Sequence, residues 1–443
     1  MKYIKKINKI IEYGLYVLAF LLPWQTRWII RGGELNGGYL EYETISLYVT
    51  DILLILLIFL FIIDYFVYKK ISNFEFHPSS EYKQISNFWW YIAIFELFVF
   101  ISIFFAPLKS VAIFSYIRLF LGIGLFWLII NAKYNLKKLS LSFILGAGLQ
   151  AVLGIWQFVT QSTFACKYLG MASHDPGELG TAVIETIASD GIGERWLRAY
   201  GGLDHPNIFG ALSAVALLLL IGLIINNYKE NRDKYYYFLW LILLLGLGAS
   251  FSRTAWLAFG IGLLSIFVIS VWQKRLLIQK KILQLVFMGA IIGFVFVSLY
   301  GGLVSTRLSN DSRLEQKSIF ERVASIEQGK KVALNNLFFG VGISNFPRAL
   351  TVIEPGERSW YYQPIHNTYL LVLAEIGIFG FISYILLVFY IKIGRKYSQS
   401  KDIYKFGIYI SLIILLFFDH FWWSLHFGVL LFWFILGLKY KRE

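Results

Sequence analysis

The sequence predicts an all-α polytopic integral membrane protein of about twelve transmembrane helices, with a large outer loop that contains an amphipathic helix. Three observations carry this. Apolar runs of spanning length recur along the whole of the 443 residues, without the period-2 alternation of an outer-membrane barrel. The composition is 58% hydrophobic and 15% charged, with a mean hydropathy of +0.63, which excludes a soluble globular domain. The third observation is where the charges sit. A net charge of +14 resembles a nucleic-acid signal until most of the lysines and arginines are located in short loops on one side of the membrane, where they report orientation.

The spans fall at 10–25, 47–68, 88–106, 111–131, 139–160, 207–226, 236–250, 254–272, 282–300, 366–391, 406–418 and 427–439, within a single membrane domain of residues 1–443. Met1 to Trp24 resembles a signal peptide, with Lys2, Lys5, Lys6 and Lys9 ahead of an apolar run, but it lacks a small-residue cleavage site and reads as a retained first helix. If the basic N-terminus is cytoplasmic, so are the loops 69–87, 132–138, 227–235, 273–281 and 392–405, each with three or more Lys or Arg. The opposite short loops are nearly bare of positive charge, which predicts both termini inside and a place in the cytoplasmic (inner) membrane. The lone cysteine, Cys166, excludes an intramolecular disulfide.

Two outward segments are long, 161–206 and 301–365, and long loops in compact proteins usually carry function. In the second, Ile319, Val323, Ile326, Ala333 and Leu337 form an interrupted apolar face on an expected helix from Ser318 to Asn336, with Glu321, Arg322, Glu327, Lys330 and Lys331 on its polar side. Such a helix lies on a membrane surface. Gly340, Val341, Gly342 and Asn345 read as a flexible turn after it.

Three polar motifs reach the outward ends of different helices: RAYGGLDHPN from Arg198 to Asn207, SRTAW from Ser252 to Trp256, and His366 with Asn367. On a helix begun near Pro364, Leu370, Leu373, Gly377 and Gly380 lie within about 40° of the direction of His366, and the glycines would let a neighbouring helix approach. His366 alone reads equally as a helix cap or as a reactive base. Arg198, Arg253 and Arg322 add three fixed cations to one titratable group, a set suited to a phosphate-bearing anion, although any single arginine is more simply a headgroup contact. Elsewhere, Glu96 and Arg118 read as an interhelical ion pair and Glu375 as a structural hydrogen bond. Asp419 and His420 divide evenly between site and cap. Glu41 and Glu43 form an E-x-E that would hold a divalent metal in the less favoured reading. No G-x-x-x-x-G-K-[ST], H-E-x-x-H or G-x-S-x-G is present, so a nucleotide-driven pump, a zinc protease and a serine hydrolase of the usual kinds lack support.

These residues resemble the O-antigen ligase and O-antigen polymerase-like membrane proteins. The hallmark of that family is His followed by Asn, Ser or Gln, then nine residues, then Gly-x-x-Gly, and His366, Asn367, Gly377 and Gly380 reproduce it. RAYGGLDHPN, SRTAW and the loop ending GVGISNF look like their counterparts in the same order, so the resemblance covers 197–380. Phe381 follows Gly380 where ligases more often carry Gly, Thr or Tyr. The resemblance implies a GT-C-like enzyme that moves a glycan from a polyprenyl (undecaprenyl) diphosphate carrier to a hydroxyl of a lipid or glycan acceptor, with inversion, on the outer leaflet. It implies His366 as the catalytic residue, Arg198, Arg253 and Arg322 on the diphosphate, and Asn367, Asn207, Gly377 and Gly380 in support. No metal or other cofactor is implied, because a sugar diphosphate is a good leaving group that cationic side chains can stabilise. Membrane lipids are expected partners and nucleic acid is not. The nearest rival is a polymerase that extends the lipid-linked repeat. A secondary transporter or lipid flippase is the rival of another class, and would place its polar groups near the midplane rather than at one surface.

Overall fold

Helices occupy every one of the twelve segments read as spans, in a computed structural model that describes residues 2–72, 82–187, 193–226, 234–309, 312–390 and 402–441. The basic residues expected at 73–81, 227–233 and 391–401, Arg395 and Lys396 among them, lie outside those residues. After α1 (Lys2–Leu21), residues 26–48 fold into β1 (Arg27–Arg31), β2 (Glu34–Leu35), β3 (Gly38–Tyr39) and β4 (Ile45–Tyr48). β1 pairs antiparallel with β4 and β2 with β3. The helices α2 (Val49–Ser72), α3 (Tyr82–Ser102), α4 (Lys109–Asn131) and α5 (Leu136–Thr160) follow. The first long segment then forms a hairpin of β5 (Val183–Ile187) and β6 (Gly193–Leu197).

The second half runs α6 (Pro206–Asn226), α7 (Lys234–Ala249), α8 (Arg253–Trp272), α9 (Leu276–Ser309), α10 (Arg313–Asn335), α11 (Phe346–Ile353), α12 (Thr368–Phe389), α13 (Ile403–Phe418), the single turn α14 (Phe421–Ser424) and α15 (His426–Tyr440). Among the described residues, seven helices are long and apolar enough to cross a membrane, and Lys234–Ala249, Ile403–Phe418 and His426–Tyr440 are shorter apolar helices. The chain is thus a mostly helical, multi-pass membrane protein. α6 is buried from Pro206 to Ile225, enclosed by α5, α7, α8 and α13. A helix apolar all round is stable only when surrounded in this way or by lipid.

Local sequence explains where key helices start. Ser252, Ser312 and Asn367 each accept a hydrogen bond from the backbone N–H three residues on, at the first turns of α8, α10 and α12, which is N-capping worth about 1 kcal/mol apiece. The outer loop departs from expectation at its start. α9 continues past a backbone break at Tyr300 to Ser309, and α10 begins five residues before the expected Ser318, at Arg313. Ile319, Val323, Ile326 and Leu337 are exposed, while Ala333 of the same expected face is buried along with Ser325, Gln328, Gly329 and Val332. This inverted pattern suits a helix whose apolar side meets lipid.

Gly340 to Phe346 is a buried junction rather than a flexible turn. Val341 and Gly342 donate their N–H groups to the carbonyls of Ala374 and Glu375, and Ile378 donates to Leu337. α12 opens to receive these bonds at Gly377, which has φ +70° and ψ −176°. The smooth glycine stripe on a continuous helix is therefore corrected: Gly377 accommodates another backbone where the helix breaks, and Gly380 lies one turn beyond, against the Ile376 side chain. A Cβ at Gly377 would stand 2.2 Å from the Phe338 carbonyl oxygen. Gly377→Ala combines a positive φ with a backbone clash and is expected to cost more than about 3 kcal/mol. Gly260→Ala, in the exposed interior of α8 where a Cβ meets nothing within 4 Å, should be neutral or stabilising by up to about 1 kcal/mol. Thermal unfolding in detergent separates the two, and equal melting temperatures would refute the assigned role of Gly377.

Candidate active site

The polar motifs meet at one end of the bundle. His366 lies two residues before α12, outside the helix that the sequence started at 366, because Asn367 has extended backbone and caps from outside. Asn367 accepts from Leu370 N–H at 2.9 Å and donates to the Phe417 carbonyl at 3.0 Å. These bonds give it a structural task, and they hold the His366 backbone against the end of α13. His366 Nδ1 is buried without a hydrogen-bond partner and faces Asp419 Oδ1 at 3.6 Å, just beyond bonding distance. The ring is about one-third exposed, which leaves Nε2 open.

Asp419 ends α13 and is held from several sides. Its Oδ1 accepts from His420 N–H at 2.8 Å and its Oδ2 from Asn207 Nδ2 at 3.3 Å, while Thr368 Oγ1 donates to its backbone carbonyl at 2.6 Å. Burial alone would raise its carboxyl, but the facing His366, with His420 and His205 nearby, outweighs burial and holds it well below the usual carboxylate range. Three histidines surround one carboxylate, and burial divides them. It pushes His420 down to about 3, and it pushes His205 down to about 3 with help from the Arg198 charge. Both are neutral and weakly basic at working pH. His205 Nδ1 accepts from Asn207 N–H at 3.1 Å, and His420 Nδ1 lies 2.7 Å from Ser424 Oγ. His366 is the member of the group that substrate can reach.

A chain of hydrogen bonds joins this group to the arginines. Asn207, in the first turn of α6, accepts from Arg198 Nη2 at 2.9 Å on its Oδ1 while its Nδ2 reaches Asp419. Arg198 also donates from Nε to the Ser250 carbonyl at 2.9 Å. Arg253 donates to the Arg307 carbonyl at 3.0 Å and pairs with Glu315 at 3.0 Å. Arg307 forms a second ion pair with Glu315 and donates to the Phe251 carbonyl at 3.0 Å. Arg322, half-buried on α10, makes no side-chain hydrogen bond or ion pair among the described residues, but its charge acts on both Arg198 and Arg253. Two guanidinium groups thus pair with one buried carboxylate, and the charges of Arg198 and Arg322 act on the same cluster. Burial, with the Arg307 and Arg322 charges acting in the same sense, holds Arg198 well below its ordinary value, so the cluster would be relieved by an added anion.

Arg307 and Glu315 were not anticipated. Arg307 falls in a stretch read as loop, but Ser312 to Glu315 is an S-x-x-E capping signature that marks the start of α10 and places Glu315 in its first turn. Other expectations are corrected. Glu41 and Glu43 are not free for a metal: Arg27 takes Glu41 through both terminal nitrogens, and Arg348 takes Glu43 at 2.6 and 2.8 Å. The Glu96–Arg118 ion pair is not made. Arg118 donates to the Ser424 carbonyl at 2.9 Å, and Glu96 faces Tyr116, two positions away and so on the other side of α4. Glu375 has the structural bonding expected of it, accepting from Ser344 N–H and Trp423 Nε1, both at 2.7 Å, and from Phe346 N–H at 3.3 Å. Among the described residues, His366, Asp419 and His420 are the group whose ligand atoms lie close enough to share a metal ion, within 4.8 Å of one another. Two imidazoles and a carboxylate form a donor set suited to a divalent transition ion.

A multi-pass helical membrane protein with a histidine–aspartate pair beside an arginine cluster is the class these features define. Residues 238–385 match the family model described as O-antigen ligase, and over that region the chain is O-antigen ligase-like. The match takes in Arg253, Arg307, Glu315, Arg322, His366, Gly377 and Gly380, while Arg198, Asn207 and Asp419 lie outside it. No curated protein matches the chain.

The ion-pair geometry yields a stability test. Glu315→Gln leaves buried Arg307 without its carboxylate and should destabilise the protein by about 3–5 kcal/mol. Adding Arg307→Met should restore much of that loss. An unchanged melting temperature for Glu315→Gln in detergent would show that the pair does not hold α9, α8 and α10 together.

Proposed function

We propose that the protein is an inverting, metal-independent glycosyltransferase of the O-antigen ligase type, acting on a polyprenyl-diphosphate-linked glycan at the outer face of the cytoplasmic membrane. The observation that carries this reading is the junction of an accessible His366, backed by Asp419, with a surplus of arginine charge on the far side of Asn207. The proposed topology has twelve crossings, both termini in the cytoplasm and the segments 161–206 and 301–365 outside.

In the proposed reaction His366 Nε2 takes the proton of an acceptor hydroxyl. The acceptor oxygen bonds to the anomeric carbon as the bond from that carbon to the diphosphate oxygen breaks, and the electron pair leaves on the diphosphate. Attack from the face opposite the leaving group inverts the configuration. Asp419 orients the imidazole and stabilises the charge it acquires with the proton. Arg198, Arg253, Arg307 and Arg322 meet the charge that develops on the leaving diphosphate, a task that in other enzymes falls to a metal. The polymerase reading uses the same chemistry on a different acceptor, and Phe381 in place of the commoner ligase residues is the feature that favours it.

His366→Ala should stay in the membrane at wild-type level and lose about 10²–10⁴-fold in kcat for transfer from a lipid-linked glycan, with Asp419→Asn losing about 10²-fold or more. Wild-type transfer should continue in the presence of a chelator. Full activity in His366→Ala removes the assigned base, and inhibition by chelator that added metal reverses would turn His366, Asp419 and His420 into a metal site. In cells lacking the protein, long unligated chains support the ligase and single repeats the polymerase.

A further inference from the structure

A cavity of about 400 Å³ lies beside the candidate active site, with Arg27, Glu41, Tyr48, Lys167, His174 and Asp204 in its wall. Its volume is within the range of small-molecule sites, about 300–1,000 Å³. We propose that this cavity binds a sugar residue of the acceptor, with Asp204 as the side chain that selects it. The assignment to the acceptor rests on the transferase reading above, whereas sugar binding as such does not.

The wall sets fixed polar groups among apolar ones such as Ile29, Met171 and Leu203. Gly201 and Gly202 enter it from the RAYGGLDHPN motif and are pinned from behind. Gln157 accepts from Gly201 N–H at 2.9 Å and donates to the Gly201 carbonyl at 2.8 Å, while Gln150 accepts from Gly202 N–H at 2.6 Å. Across from them, Arg27 is fixed on Glu41 through two bonds and reaches Tyr48 Oη at 3.1 Å. His174 stacks on Tyr200 with ring centroids 3.9 Å apart. Asp204 stands out from this framework. It is exposed, in a motif whose other residues from Arg198 to Leu203 are buried, and it makes no hydrogen bond or ion pair to protein among the described residues. A preorganised wall with one unpartnered carboxylate is ready to accept hydrogen bonds from a ligand.

Charge identifies the ligand class. The cavity sets Arg27 and Lys167 against Glu41 and Asp204, so it lacks the positive surplus of the arginine cluster and does not form a second phosphate site. An acyl chain would leave these charged groups without partners. A neutral polyhydroxylated ring, donating to carboxylates and accepting from cations, suits it well.

Position identifies which substrate. Arg198 feels Arg307, Tyr200, Glu315 and Arg322, and Asp204 feels Glu41 and Arg27. Tyr42 connects the cavity to the reacting centre: its ring is 5.5 Å from His420, and Asp419, Glu41 and Asp204 all act on its hydroxyl. His205, next to Asp204, feels Arg198, Asp419 and His366. The cavity thus adjoins both the reacting group and the RAYGGLDHPN motif that carries Arg198. On the transferase reading the leaving diphosphate draws on the arginine surplus, which leaves this charge-balanced cavity to the sugar of the other substrate.

The test uses full-length protein in lipid nanodiscs and, as probes, methyl glycosides of neutral hexoses and N-acetylhexosamines. Saturation-transfer NMR should show binding to the wild type that weakens by about fivefold or more in Ala172→Trp, which fills the cavity from its exposed wall, and in Asp204→Asn. No binding to the wild type, or equal binding to all three, overturns the sugar site. With a lipid-linked glycan donor, Asp204→Asn should raise the acceptor KM by about tenfold or more and leave the donor KM within about twofold. The reverse pattern overturns the acceptor assignment. Sugar binding that both variants abolish, together with no transfer by the wild type from any lipid-linked donor, keeps the sugar site and discards the transferase reading.

Discussion

The arrangement depends on a single interruption of α12. At Gly377 the helix gives up its own hydrogen-bond ladder and takes the backbone of residues 337–342 in its place. Two residues earlier, the Glu375 carboxylate collects three N–H donors, two from Ser344 and Phe346 at the start of α11 and one from Trp423 in α14. Asn345 and Ser102 extend the same junction to α3 and α4, through bonds to Leu108 N–H at 2.8 Å and Ile343 N–H at 3.3 Å. A buried carboxylate without such donors would cost several kcal/mol. With them it fixes α10–α11, α12 and α14 in one register. His366 leads into α12 and His420 into α14, so the geometry of the reacting group follows from a junction that contains none of its members.

A second constraint is electrostatic. One carboxylate, Glu315, holds the ends of α8, α9 and α10 together through Arg253 and Arg307, and it does so at the N-terminus of α10, where a negative charge is favoured. That is sufficient to fold the region but not to neutralise it. Arg198 and Arg322 add positive charge that Glu315 cannot match, at a buried position in the first case. Structural ion pairing and anion binding are therefore parts of one cluster, with Glu315 serving the fold and the surplus left for a ligand.

Much of this is legible in the sequence, and the part that is not has physical reasons. Apolar run length located the helices because membrane spans are set by bilayer thickness, and His366, Arg198 and Arg253 stood out because polar groups at helix ends are rare in such a chain. The break at Gly377 was not legible as a break. A G-x-x-G spacing reads the same whether the glycines admit a neighbouring helix or a stretch of loop backbone, and only the partner distinguishes them. The E-x-E at Glu41 and Glu43 misled for a similar reason, since its arginines come from positions 27 and 348. Asp419 could not be weighed against a simple cap without knowing that α13 ends beside α12. Arg307 was hidden by a helix that runs nine residues past its expected end.

The relay from Arg198 through Asn207 to Asp419 bears on how the two halves of the site work together. Asn207 spends its carbonyl oxygen on Arg198 and its amide nitrogen on Asp419, so the position of each charged group depends on the other. On the proposed reading, a diphosphate drawing on Arg198 shifts the donor that orients Asn207, and the Asn207 amide in turn sets how Asp419 faces His366. The 3.6 Å gap between Asp419 and His366 is then the part of the site with room to tighten. Catalytic hydrogen bonds are often long before substrate binds and close only in the complex. A base left slightly loose until the leaving group is seated is then fully oriented only in the donor complex, so binding of the diphosphate and activation of the acceptor hydroxyl are coupled through Asn207.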